Sequence, residues 1–247
     1  MKQKLSKKIF NIVIIIVIIV AIIFTALMMI LNYKENGEKN MPFNISKISI
    51  ISTVDGKDNE DQTNKWNLQV NQNNDIYIYI EKNNNYGKTE LINSIIIDNF
   101  EIQKPNIGSI IIYKPALKNT ALFENSKENE VEELTIFGNK STDIQNLKIS
   151  NQGGIIAFRC ANDNISSYIS SEDEILDYKN LLKKLNINEE NLKAKIFFDI
   201  KIKLESGKEY KAENIEIEIP VQNIVEQGTT SIEKTDLNNI IFKRSEK

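Results

Sequence analysis

No histidine occurs among the 247 residues, so chemistry in this chain has to come from its carboxylates, its single thiol and its aromatic rings. The absence excludes Ser-His-Asp and Cys-His catalysis, His-ligated zinc and proton transfer by imidazole. Four acids, Asp55, Asp58, Glu60 and Asp61, crowd the stretch DGKDNEDQTNK. Clustered carboxylates are what calcium, an oxygen-seeking ion, would use, which makes these four the candidate metal ligands. The EF-hand order is missing, with Lys57 third and no glycine sixth, so the first reading is a solvated acidic loop. Cys160 has no partner for a disulfide and no histidine to generate its thiolate, and the adjacent Arg159 points to the opposite face of a strand. It is expected to be a small buried hydrophobe. Glu216 and Glu218 alternate with isoleucines, which places their carboxylates about 7 Å apart on one strand face. That overlaps the separation of a glycosidase pair, but a regular Glu/Ile alternation reads as a solvated outer face. Trp66, Tyr77 and Tyr79, with Tyr86 nearby, are candidates for an aromatic platform taking a sugar ring or a partner protein. No pattern calls for a cofactor.

The elements that must position these groups are mainly strands. From Phe43 onward, β-branched and aromatic runs alternate with Asn, Asp, Gly and Lys clusters, the pattern of an all-β sandwich or barrel. Strands are expected at Phe43–Thr53, Trp66–Val70, Ile76–Glu81, Asn93–Gln103, Ser109–Tyr113, Val131–Phe137, Leu147–Ser150, Gly154–Cys160 and Ile165–Ser170. In Ile76–Ile80 one face is isoleucine and the other tyrosine. Ser171 followed by Glu174 spells a capping box, and Ile175, Tyr178, Leu182 and Leu185 recur at helical spacing, predicting one inserted helix over 172–185. A further turn is expected to start at the cap Asn188. Lys195–Glu205 and Glu209–Ile219 predict a hairpin turning at Ser206-Gly207. The apolar parity changes between Ala212 and Ile215, which predicts a β-bulge near Glu213–Asn214. A last strand is expected over Asn239–Phe242. Residues 43–247 suit one sandwich, with a seam conceivable near 138–154 where turn formers concentrate.

All of this follows an apolar run, Ile9–Leu31, that contains no charge. At 1.5 Å per residue such a helix crosses a hydrocarbon core of about 30 Å. The run is apolar all round, unlike a core helix, and leaves through Leu31-Asn32-Tyr33-Lys34 without a small-residue cleavage pattern, so an uncleaved transmembrane helix in the lipid bilayer is expected. Lys2, Lys4, Lys7 and Lys8 precede it, which keeps residues 1–8 cytoplasmic and places the sandwich outside the cytoplasm, beyond a short linker at 32–42. Net charge sharpens the contrast: −3 overall with +4 in residues 1–8 leaves −7 for the remainder. An acidic outer region without a basic cluster argues against nucleic acid as a partner. With this anchor and a composition rich in Ile, Asn and Lys, the chain resembles single-pass envelope proteins of AT-rich Gram-positive bacteria, a resemblance that implies location only. The expected role is non-enzymatic contact with another envelope protein or a wall component. A carbohydrate- or calcium-binding module is the alternative, and a carboxylate enzyme working without histidine is a third.

Overall fold

A computed structural model describes residues 2–59, 64–103, 105–116, 121–139 and 148–245, with residues 2–9 described by their backbone alone. The chain divides into two compact units, one ending at Lys39 and one beginning at Asn40.

The first unit is a single helix, α1 (Lys2–Asn36). From Phe10 its side chains are exposed all along the apolar stretch, so it is not a core helix, and it is long and apolar enough to cross a membrane. The helix outruns the apolar segment at both ends and takes in half of the expected linker. It stops at Gly37, whose φ of 63° lets its N–H return to the Tyr33 carbonyl at 2.8 Å.

The second unit is mainly β, two sheets face to face. The first sheet is antiparallel and contains β1 (Phe43–Asp58), β2 (Asn67–Lys82), β4 (Ser109–Tyr113), β7 (Gly154–Ile169) and β10 (Thr229–Lys234), in the order β10-β1-β2-β7-β4. The second contains β3 (Ile92–Gln103), β5 (Leu134–Asn139), β6 (Lys148–Ser150), β8 (Lys195–Leu204), β9 (Glu209–Glu218) and β11 (Phe242–Arg244), in the order β11-β9-β8-β3-β5-β6, with β5 and β6 parallel. Alternation decides what faces inward. Ile48 and Ile50 of β1, Ile76, Ile78 and Ile80 of β2, and Ile200 and Ile202 of β8 are all within 1% of complete burial. At roughly 1.5–3 kcal/mol each, such side chains supply most of the drive to close the sandwich. Phe158 joins the two layers, its ring 5.4 Å from both Phe100 and Phe198 in edge-on contacts.

Several strands are longer than their apolar runs. Trp66–Val70, apart from Trp66 itself, and Ile76–Glu81 fall in one strand, β2, and Gly154–Cys160 and Ile165–Ser170, apart from Ser170, fall in another, β7. β10, a mostly polar edge strand, was not expected at all. The hairpin turns where predicted, with Gly207 at φ 82°, and the bulge stands at Asn214 (φ 54°), where Glu213 and Asn214 together oppose Asp199. The buried Asp199 carboxylate accepts the Asn214 N–H at 2.8 Å and the Asn99 side-chain amide at 2.8 Å, tying together irregularities in the strands on either side of it. The part of the seam region at 140–147 lies outside the described residues, as does Leu147.

The inserted helix over 172–185 needs correction. Helical structure begins only at the 3₁₀ turn Tyr178–Asn180 and continues into α2 (Leu181–Lys184). Glu174 does accept the Ser171 N–H at 3.0 Å, as in a capping box, but Asp173 sits at φ 55°, which breaks a helix. Glu174 is also bonded by Tyr168 (2.6 Å) and Lys184, and its carbonyl accepts the Trp66 indole N–H at 3.0 Å. Tertiary partners have claimed the segment, leaving Ile175 90% exposed. The expected turn at Asn188 is present as α3 (Glu189–Leu192), with reciprocal Asn188–Asn191 caps at 3.1 Å. The short α4 (Ile224–Gln227) buries Ile224, as α2 buries Leu181 and Leu182.

Candidate functional site

The polar run Asn71–Asp75 crosses the middle of β2, paired to β1 on one side and β7 on the other. Gln72 and Asn74 point inward with the isoleucines, while Asn71, Asn73 and Asp75 point outward. On the inner face Ser52 Oγ donates to Asn74 Oδ1 at 2.6 Å, and Asn74 Nδ2 donates to the Cys160 carbonyl at 2.8 Å. One step along, Gln72 and Asn162 are direct cross-strand neighbours, and neither buried amide has a hydrogen-bond partner.

The outer face carries a connected network. Arg159 grips Asp75 with two parallel bonds, Nε to Oδ1 at 2.6 Å and Nη2 to Oδ2 at 3.0 Å. Its Nη1 donates to Asn125 Oδ1 at 3.0 Å, and Asn125 Nδ2 donates to Asn73 Oδ1 at 2.8 Å. Asn73 reaches Asp55 at 3.3 Å, and the Tyr113 hydroxyl donates to Asp163 at 3.0 Å. Burial, then the Asp163 carboxylate, holds the Tyr113 phenol far above its ordinary range. The Phe123 ring lies 5.0 Å from the guanidinium carbon. Phe123 and Asn125 belong to a strap, residues 121–131, that the network pins over one half of the face. Matched charges and satisfied donors of this kind hold a structure in place.

The other half of the face is open. Tyr77 and Tyr79 stand beside Ala157 and Ile155 of β7 and opposite Ser49 and Lys47 of β1, with Ile51 and Ile155 exposed. Partial burial, then the Asp75 charge, raises the Tyr77 pKa. Lys47 lies 4.4 Å over the Tyr79 ring and is paired with Glu233 at 2.7 Å, so one side of that ring is occupied. Trp66 does not join them. Eleven residues separate it from Tyr77 along the strand, about 36 Å, and its indole is bonded to the 171–177 loop. The structure keeps Tyr77 and Tyr79 as a pair and divides the three-ring platform.

Of the calcium candidates, Asp55 accepts from Gly56 N at 2.8 Å and from Asn73, and Asp58 accepts from Asn67 N at 3.2 Å. Glu60 and Asp61 lie outside the described residues, and among the described residues no group of three or more His, Cys, Asp or Glu side chains is placed to hold a metal. Cys160 is fully buried on the inner face, away from Arg159, and burial pushes its thiol up strongly. Lys195 sits between Glu216 and Glu218 at 2.6 and 2.9 Å, which makes them rungs of a surface ion ladder. Tyr86 is 3.2 Å from Lys208.

The polar network was not anticipated, although its signal was present. Leu68, Val70, Ile76, Ile78 and Ile80 share one parity across the polar run, which is what a single uninterrupted strand requires. Fold and site define a β-sandwich chain with one N-terminal apolar helix. No family model, no curated protein and no solved structure matches it.

Proposed function

We propose that this is a single-pass, membrane-anchored protein that holds its β-sandwich outside the cytoplasm to contact another envelope protein or a wall component, without catalysis of its own. The wholly exposed apolar helix and the four lysines before it support the placement. One observation carries the contact role, the half-open outer face where Tyr77, Tyr79, Ser49, Ile51 and Ile155 lie side by side. Rigid tyrosines among small and aliphatic residues give large contact area at low cost in side-chain entropy. The test is a photo-crosslinking residue placed at Tyr77 in cells, with Ser206 in the β8–β9 turn as the control position. Discrete adducts from position 77 and none from 206 support the role. Absence of adducts at 77, or the same adducts from both positions, refutes it.

A further inference from the structure

Beside the strap, the sheets part around a cleft of about 770 Å³ lined by Phe100 and Ile102 of β3, Ile110 and Ile112 of β4, and Val131. Among the described residues β3 has a free edge there, and β4 has one only at its start, since the strap bonds it from Ile112 to Lys114. β5 pairs with β3 only from Ser94 to Ile97, so among the described residues no strand adjoins that side of β3 from Asp98 to Gln103. On β4 the Val131 N–H reaches the Ile112 carbonyl at 3.0 Å, on the edge facing away from β7. The two-residue period turns the N–H and C=O of Ile110 toward that same edge, below the end of the strap. Apolar walls beside free backbone donors and acceptors are what an added strand uses.

Charge selects the occupant. Glu130 and Glu132 stand at the rim against Lys127, and residues 128–133 read Glu-Asn-Glu-Val-Glu-Glu. Two carboxylates against one ammonium leave the rim net negative, which disfavours anionic lipid and acidic peptides. We infer that the cleft takes an extended basic segment of a partner protein, which adds as a strand beside β3, sends alternate apolar side chains between Phe100 and Ile110, and sets lysines or arginines against Glu130 and Glu132. This site is separate from the Tyr77–Tyr79 face and does not depend on it.

The experiment uses the full chain in detergent and a fluorescein-labelled probe, Lys-Val-Lys-Ile-Lys-Val-Lys, read by polarisation. A Glu-Val-Glu-Ile-Glu-Val-Glu probe and a backbone N-methylated basic probe serve as comparisons. The basic probe binds, the acidic and N-methylated probes do not, and Glu130→Lys with Glu132→Lys weakens binding about tenfold or more at low salt. Both positions are exposed, so the variant keeps the parent's melting temperature. Reversing Glu216 and Glu218 on the second sheet, or Tyr77→Ala on the first, leaves the affinity unchanged. Absence of binding by the basic probe, equal affinity for the acidic or N-methylated probe, indifference to the rim reversal, or loss on Tyr77→Ala overturns the inference.

Discussion

Replacing Gln72 by methionine, or Asn162 by leucine, is expected to stabilise the sandwich although each change removes a polar group from the longest strands of the first sheet. The two side chains together bury four polar atoms without a hydrogen-bond partner, as direct neighbours across β2 and β7. A buried donor or acceptor left unmade costs about 1–3 kcal/mol, and replacing it by an apolar group of similar shape recovers that cost. Each variant should therefore gain about 1–3 kcal/mol. With a urea m-value of about 2–3 kcal/mol/M, the midpoint rises by about 0.3–1.5 M. Asn74→Leu is the contrasting change, because Asn74 bonds to both Ser52 and the Cys160 carbonyl, and it should lose about 1–3 kcal/mol. The assay is urea unfolding of the full chain in detergent, followed by the fluorescence of Trp66, the sole tryptophan. A fall in midpoint for Gln72→Met and Asn162→Leu comparable to that for Asn74→Leu would refute the reasoning, since it would mean the two amides are engaged.

Three further outcomes follow from named contacts. Bonds from Lys184, Tyr168 and Ser171 hold the Glu174 carboxyl down at about 2. A folded pKa below the unfolded value contributes stability at higher pH that is lost as pH falls from about 4.5 toward 2, so the 171–177 loop should loosen in that window, and Glu174→Gln should flatten the response of Trp66 fluorescence. Asp199→Ala strips the acceptor from Asn99, Asn214 and Lys211 (2.8 Å) and should cost about 2–3 kcal/mol by urea unfolding, whereas Lys201→Ala on the same strand should change little. Asn125→Ala cuts the strap's bonds to Arg159 and Asn73 and should raise amide exchange across 121–130 while leaving β2 protected.

Parity was the most dependable guide in the sequence. It located the β8–β9 turn and the Asn214 bulge because inward and outward positions cannot be exchanged without an extra residue. The same rule runs through Asn71–Asp75, but composition argued for a break there. What kept the strand whole was pairing on both sides, which a single sequence does not display. The Ser171–Glu174 spacing misled for a related reason, since that side-chain bond forms equally well in a loop once Tyr168 and Lys184 hold the carboxylate. Arg159 and Cys160 were correctly assigned to opposite faces, yet the partners of Arg159 come from β2 and the strap, 84 and 34 residues away in sequence. The acidic rim was visible as Glu130–Glu133, but the cleft it borders depends on where β5 leaves β3.

Sidedness decides between an exposed contact module and any other placement, and the buried Cys160 leaves the wild-type chain a silent background for thiol labelling. Ser206→Cys puts a reactive thiol at an exposed turn of the sandwich. A membrane-impermeant maleimide should label this variant on intact cells, with the product in the membrane fraction at full length. Labelling only after the cells are permeabilised, or recovery of a shortened product in the medium, would contradict an anchored sandwich displayed outside the cytoplasm.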